Sequence, residues 1–357
     1  MKFRLLALCM MFVLIAALVP GVMAQDNAIC GNLSADDCTA LTTAFTNTGA
    51  AGSGAFTMNA TIDVQSDDQS QAAKIDIAAD GKFNGYTAMS MADMTAMGAD
   101  PAAALTKATA GLKGFSGELN LKMGLPAAAA AMTGGEPLVL NLILIDGNLY
   151  IDLSKFPASI APMLQQMKLP NGWAGIDLID TATNMGGMLS GATSSTTTSS
   201  TPDMAKMQAM AAKYMMVTRD GDTFTGTVDL AGLFSDADFQ AMMASGEKAT
   251  PMTDKDKAAM ESLKDAKVEV VYVLNGDKLG EVKFTLALPG STLAAMNAAG
   301  SSSSDSKPPT AVNVTFDLKY SGLGEAQTIA APAGAPVFKF ADLMTMFGGM
   351  MGGGTSG

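Results

Sequence analysis

Histidine is missing from all 357 residues of the chain. That absence removes serine–histidine and cysteine–histidine nucleophile pairs and most zinc sites, since each needs an imidazole as base or ligand. Positive charge is scarce as well: 22 Lys and Arg stand against 34 Asp and Glu, a formal net charge of −12. With no basic stripe and only 6% aromatics, binding to nucleic acid and adsorption to an anionic membrane are both disfavoured. No Gly-x-Ser-x-Gly and no phosphate-binding Gly-Lys loop occurs. Ser304-x-x-Lys307 matches a nucleophile motif only through a serine run. Asp220-Gly-Asp222 and Asn275-Gly-Asp277 lack the spaced ligands and closing Glu of a calcium loop. The acids fall on wet strand faces, turns and helix starts, which argues against a glycosidase-like pair. The expectation is a protein that is not an enzyme and uses no metal or cofactor.

Long apolar runs are also absent, except at the start. Lys2 and Arg4 precede an uncharged stretch of about 15 residues, Leu5 to Val19, broken by Pro20-Gly21. Val22-Met23-Ala24 then suits a signal peptidase, with cleavage before Gln25. The run is short of the ~20 residues a membrane helix needs. Neither Cys9 nor Cys30 follows a small residue at the cleavage point, so the chain is expected to be released, without a lipid anchor. Loss of residues 1–24 moves the formal charge from −12 to about −14, which favours solubility. Of the three cysteines, Cys30 and Cys38 then remain. In an oxidising compartment a close pair reads as a local disulfide, with metal binding or redox chemistry as the alternatives.

What is present is alternation. Phe56 to Val64, Leu119 to Met123, Phe224 to Leu230, Val282 to Leu288 and Val312 to Leu318 each alternate apolar and polar residues. These are strands of an antiparallel sheet with one buried and one wet face. Asp80-Gly81, Asp146-Gly147, Asp220-Gly221 and Asn275-Gly276 read as hairpin turns. Leu138 to Ile145 is apolar on both faces apart from Asn141, and is expected to be central and covered on both sides. Ser34 with Asp37 opens a helix through Phe45, followed by a flexible break over Gly49 to Gly54. Further Ala- and Met-rich helices are expected over Ala88–Leu112, Ala158–Met167, Asp203–Met216, Asp236–Ala244 and Thr253–Lys264, with Ser235 and Thr253 as N-caps. Gly191–Pro202 and Ser301–Pro309 are low-complexity loops. The organisation expected is a signal peptide (1–24), a stapled helix and linker (25–54), one domain (55–340) with a Ser/Thr insertion near 190–202, and a Gly/Met tail (341–357). A boundary near residue 195 is the alternative.

Three segments carry a resemblance: Ile-Asp-Gly-Asn-Leu-Tyr-Ile-Asp-Leu at 145–153, Gly-Trp-Ala-Gly-Ile-Asp-Leu at 172–178, and the run from Leu318 to Ala333. Together they resemble the bacterial lipid-carrier superfamily of LppX/LprG-type and LolA-type proteins, which show a Tyr-bearing strand, a Trp strand and a closing strand before an apolar-Pro segment. The resemblance implies an α+β fold: a curved, incompletely closed antiparallel sheet, or half-barrel, with the Ala/Met-rich helices on its concave face. It implies a lipid or other apolar small molecule held between sheet and helices, and no catalytic residues. Tyr150 and Trp173 fall at the family's pattern positions, and Met163, Leu164 and Met167, on the expected helix before Trp173, would face the ligand. Methionine, 29 in all, fits an adaptable apolar lining, though Met at helical spacing is also ordinary core. The other function class is a structural or surface-interaction protein of the cell envelope, with a transient envelope partner and no ligand.

Overall fold

Ser34 and Asp37 start the first helix as the sequence suggests. In the computed structural model the Asp37 amide donates to Ser34 Oγ, and the hydroxyl donates back to Asp37 Oδ2. The structure describes residues 29–68, 72–87, 101–126, 130, 133–184, 210, 212–244, 254–299, 308–342 and 344–345. The expected signal peptide, the Ser/Thr insertion, the Gly/Met tail apart from residues 341–342 and 344–345, residues 88–100, 203–209 and 301–307 of the expected helices and loop, and the Thr253 cap lie outside them.

The fold is α+β, with a twelve-stranded, mostly antiparallel sheet that stays open. The strands are β1 (Gly54–Gln65), β2 (Ala73–Asn84), β3 (Ser116–Met123), β4 (Leu138–Ile145), β5 (Asn148–Asp152), β6 (Trp173–Asp177), β7 (Met215–Asp220), β8 (Thr223–Val228), β9 (Lys267–Asn275), β10 (Lys278–Pro289), β11 (Ala311–Ser321) and β12 (Val337–Phe338). Their order is β12-β6-β5-β4-β3-β2-β1-β11-β10-β9-β8-β7, with β12 parallel to β6. The helices are α1 (Ala35–Ala50), α2 (Pro101–Gly114), α3 (Ala161–Gln166), α4 (Leu230–Ser235), α5 (Ala237–Ala244), α6 (Asp254–Ser262) and α7 (Gly290–Ala299). Among the described residues, no helix is long and apolar enough to cross a membrane.

The chain divides into two compact units, each assembled from separate stretches. The first takes Met1–Ala50, Met58–Asp76 and Ser199–Tyr320; the second takes Ala51–Thr57, Ile77–Thr198 and Ser321–Gly357.

In the first unit, antiparallel register puts Phe224, Tyr272, Val282 and Leu318 in one row on one face, all buried. Helix α1 closes this face with Leu41, Ala44, Phe45, Thr48 and Gly49, a spacing of three and four that makes one helical stripe. The Phe45 ring meets Tyr272 edge-on at 5.1 Å. A bulge at Gly280 keeps Leu279 on the buried face, and the Leu279 amide donates to Thr48 Oγ1. At the other end of α1, Cys30 and Cys38 form a disulfide. The stapled loop sits against edge strand β7, where the Val217 amide donates to Asn32 Oδ1 and Arg219 pairs with Asp37 at 2.7 Å. An edge amide is thereby taken out of circulation.

Several expectations need correction. Asp80-Gly81 is not a turn: both residues lie within β2, and Gly81 is bare because the Glu118 carbonyl oxygen and the Phe56 ring lie 2.6 and 2.7 Å from where a Cβ would stand. The other three signals do make two-residue hairpin loops, with positive φ at Gly147, Gly221 and Gly276. Helix α1 runs to Ala50, five residues past Phe45, because Thr48 and Gly49 still belong to its buried stripe. Strand β7 begins at Met215, inside the helix expected to end at Met216, since pairing with β8 wins there. Leu230 starts α4 and does not end a strand: the Asp229 carboxylate accepts from the Gly232 amide and turns the chain. Asp236, not Ser235, caps α5, accepting from the Asp238 and Phe239 amides.

Candidate functional site

The second unit is built around β4. Its expected central place is found, between β3 and β5, but it is covered only in part: all eight residues are half-buried. Register explains what this exposes. Leu121 pairs with Leu140, Leu119 with Leu142 and Leu142 with Ile151, and directly opposed residues share a face. Continuing through Gly81 opposite Leu119 and Ala174 opposite Ile151, every position on that face from Ile77 of β2 to Ile176 of β6 is apolar or glycine. Leu119, Leu121, Leu140, Leu142, Leu144 and Ile151 are all half-buried. The contrast with the first unit, whose equivalent apolar rows are buried, is the main feature of this surface.

The opposite face is mixed. Lys82, Glu118, Asn120 and Lys122 occupy it on β2 and β3, giving way to Ile143 and Tyr150. Tyr150 is buried there because Gly175, its cross-strand partner, offers no side chain; a Cβ at Gly175 would lie 2.8 Å from the ring. Val337 of β12 closes over the same glycine.

Of the residues singled out from sequence, the structure brings Tyr150 and Trp173 together on this mixed face, as diagonal neighbours of β5 and β6. Trp173 is half-buried. Leu164 is half-buried on α3. Met167, also half-buried, falls beyond the helix, which ends at Gln166 because Lys168 adopts a φ of 56° and the Leu169 amide returns to the Leu164 carbonyl. The Met163 side chain lies outside the described residues. The fully apolar face is therefore a different surface from the one bearing Tyr150. Its signal was partly readable in the alternation of β3 and the two-faced run of β4. Strand β2 completes it, and was hidden by its Asp-Gly.

An open cleft of about 700 Å³ lies in the first unit, between α4, α5 and α6, lined by Gly232, Gln240, Lys257, Met260, Glu261 and Lys264 among others. It includes none of the five residues. Among the described residues, no group of three or more His, Cys, Asp or Glu is placed to hold a metal. The strongly held carboxylate of this region, Asp236, is structural: Lys213 at 2.7 Å and the Tyr214 hydroxyl at 2.6 Å both donate to it and hold it well below the usual carboxylate range. No protein-family model matches the chain, and no curated protein matches it.

Proposed function

We propose that the chain is an exported binding protein for lipid-like molecules, a carrier or sensor, that holds hydrocarbon against the apolar face of β2–β6. One observation carries this reading: a face with no charged or hydrogen-bonding side chain over five strands, whose leucines at 119, 121, 140, 142 and 144 are only half-buried. Apolar area left partly open to water over so many adjoining strands is costly and marks a binding surface. An acyl chain suits it, since each buried CH₂ contributes about 0.8 kcal/mol and no polar anchor is required. The resemblance of the 145–153, 172–178 and 318–333 segments to the lipid-carrier superfamily points the same way. The Cys30–Cys38 disulfide is the kind of bond kept in an oxidising compartment, which fits cleavage before Gln25 and export.

Natively exported protein, extracted with organic solvent, should release lipid to mass spectrometry, and its intact mass should begin at Gln25. After delipidation it should take up a fluorescent fatty acid. Leu142→Lys, at the centre of the face, should reduce that uptake at least tenfold while the far-ultraviolet circular dichroism is kept, an effect of about 1.4 kcal/mol. Delipidated wild-type protein that takes up no probe, with no lipid in the native extract, rules the reading out.

A further inference from the structure

A strand paired on one side only turns every second amide and carbonyl outward, where another strand can take them. The sheet ends on β12 at one edge and on β7 at the other. Strand β12 is two residues long, whereas β7 has six. Nothing in the β7 sequence, Met-Met-Val-Thr-Arg-Asp, blunts that edge: it holds no proline and no lysine, and its register with β8 runs unbroken from Met215 to Asp220. Its Met216 side chain is 63% exposed.

The chain just before α1 covers this edge instead. The Val217 amide donates to Asn32 Oδ1 at 2.6 Å, so Val217 turns its backbone outward. By the alternation of an antiparallel pair, Met215 and Arg219 do the same. Gly31 lies so close to the Met215 carbonyl that a side chain there would strike it. The Arg219 guanidinium is held by Asp37, 2.7 Å away. Each of the three positions is thus engaged by residues 31–37, and the Cys30–Cys38 disulfide closes around that run. Residues 30–32 form a turn and not a strand, so a covalent staple stands in for a hydrogen-bonded ladder.

We propose that the stapled loop is a guard over the β7 edge, and that opening the disulfide makes β7 a docking strand for the β7 of a second copy of the chain. The opening step is exchange with a dithiol. One thiol of the reductant attacks a sulfur of the pair, and its second thiol closes on the mixed disulfide. Two electrons and two protons pass to the protein, leaving Cys30 and Cys38 as thiols and the reductant as a disulfide. Cys38 is the more exposed of the two. A second copy fits because the edge is self-complementary. Antiparallel pairing about a two-fold axis at Val217 sets Met215 against Arg219, Met216 against Thr218 and Tyr214 against Asp220. No like charges meet, and each outward amide faces an outward carbonyl.

Sedimentation equilibrium of the full exported chain over a concentration series, with and without dithiothreitol, tests this together with amide exchange. Reduction should raise the average mass toward twice that of the oxidised chain as concentration increases. The Val217 amide should exchange slowly in the oxidised chain, faster in the dilute reduced chain, and slowly again when the reduced chain is concentrated. Arg219→Pro removes an outward amide and leaves the β7–β8 ladder intact, so that variant should keep the oxidised mass under reduction. The proposal fails if reduction leaves the mass unchanged at every concentration, or if Arg219→Pro associates as strongly as the wild type. It fails equally if reduction abolishes the folded circular dichroism, because the staple then serves stability alone. Should Arg219→Pro not fold, the concentration dependence of Val217 exchange in the reduced wild type decides.

Discussion

Gly147 has neither the conformation nor the space to accept a side chain. Its φ is 74°, and the Ile179 side chain occupies the place of a Cβ. Gly147→Ala should lower stability by about 2 kcal/mol, read as a shift of the urea midpoint with unchanged slope. Gly81, in the same dipeptide, has no need of a positive φ; it is required by the close approach of the Glu118 carbonyl and the Phe56 ring. That difference is why a local reading of Asp-Gly succeeded at 146–147 and failed at 80–81: turn propensity is encoded in the dipeptide, whereas cover by a distant aromatic is not. Leu41 illustrates the residue whose role is plain in both views, fully buried in the stripe of α1. Leu41→Ala should cost about 3 kcal/mol by the same measurement. Asp236 belongs to this scale too. Its depressed pKa means stability present above its ordinary 3.8 and lost as pH falls through the folded value, so Asp236→Asn should remove part of the acid-side decline.

At the scale of elements, strands were more legible than helices. Period-two alternation marks a strand wherever one face is buried, and all five such runs are strands, although the Phe224–Leu230 run stops at Val228. The helices are short and Ala-rich, and their ends are set by single polar residues, Asp229, Asp236 and Lys168, that composition does not distinguish. The candidate face was visible in part, because β3 and β4 carry it openly. Its partial burial was not visible, since burial depends on what packs above. Helix α1 and its staple form the best-anchored element: the disulfide, Asn32 on the Val217 amide, Asn47 on Asp277 and Thr48 on the Leu279 amide tie both ends. Cys30→Ala with Cys38→Ala frees a short loop and should cost about 2–3 kcal/mol. Reduction of the wild type should reproduce that loss, and equal urea midpoints with and without reductant would count against it.

For the whole molecule, the decisive property is that neither unit is a continuous stretch of chain. Both return to the C-terminal segment for their completion. In the first unit β11 supplies Val312, Phe316 and Leu318 to the core, and the Thr310 amide donates to the Gln65 carbonyl. In the second unit the segment after Ser321 is held by a reciprocal pair: Asn84 donates through its side chain to the Gln327 carbonyl and accepts from the Gln327 amide. The Gly324 amide reaches the Ser53 carbonyl, the Gly175 amide reaches Pro336, and the Phe340 amide reaches Asp180. Truncation after Lys307 therefore removes a central core strand from one unit and the closing segment from the other. Three core side chains at roughly 2–3 kcal/mol each match much of the 5–15 kcal/mol by which domains are stable, before any hydrogen bond is counted. A chain ending at Lys307 should lose the cooperative unfolding transition of both units, and amide exchange should show β3–β5 and β8–β10 alike unprotected. If β3–β5 keep slow exchange in that truncated chain, the second unit stands without its C-terminal segment, and the interdependence argued from its hydrogen bonds is wrong.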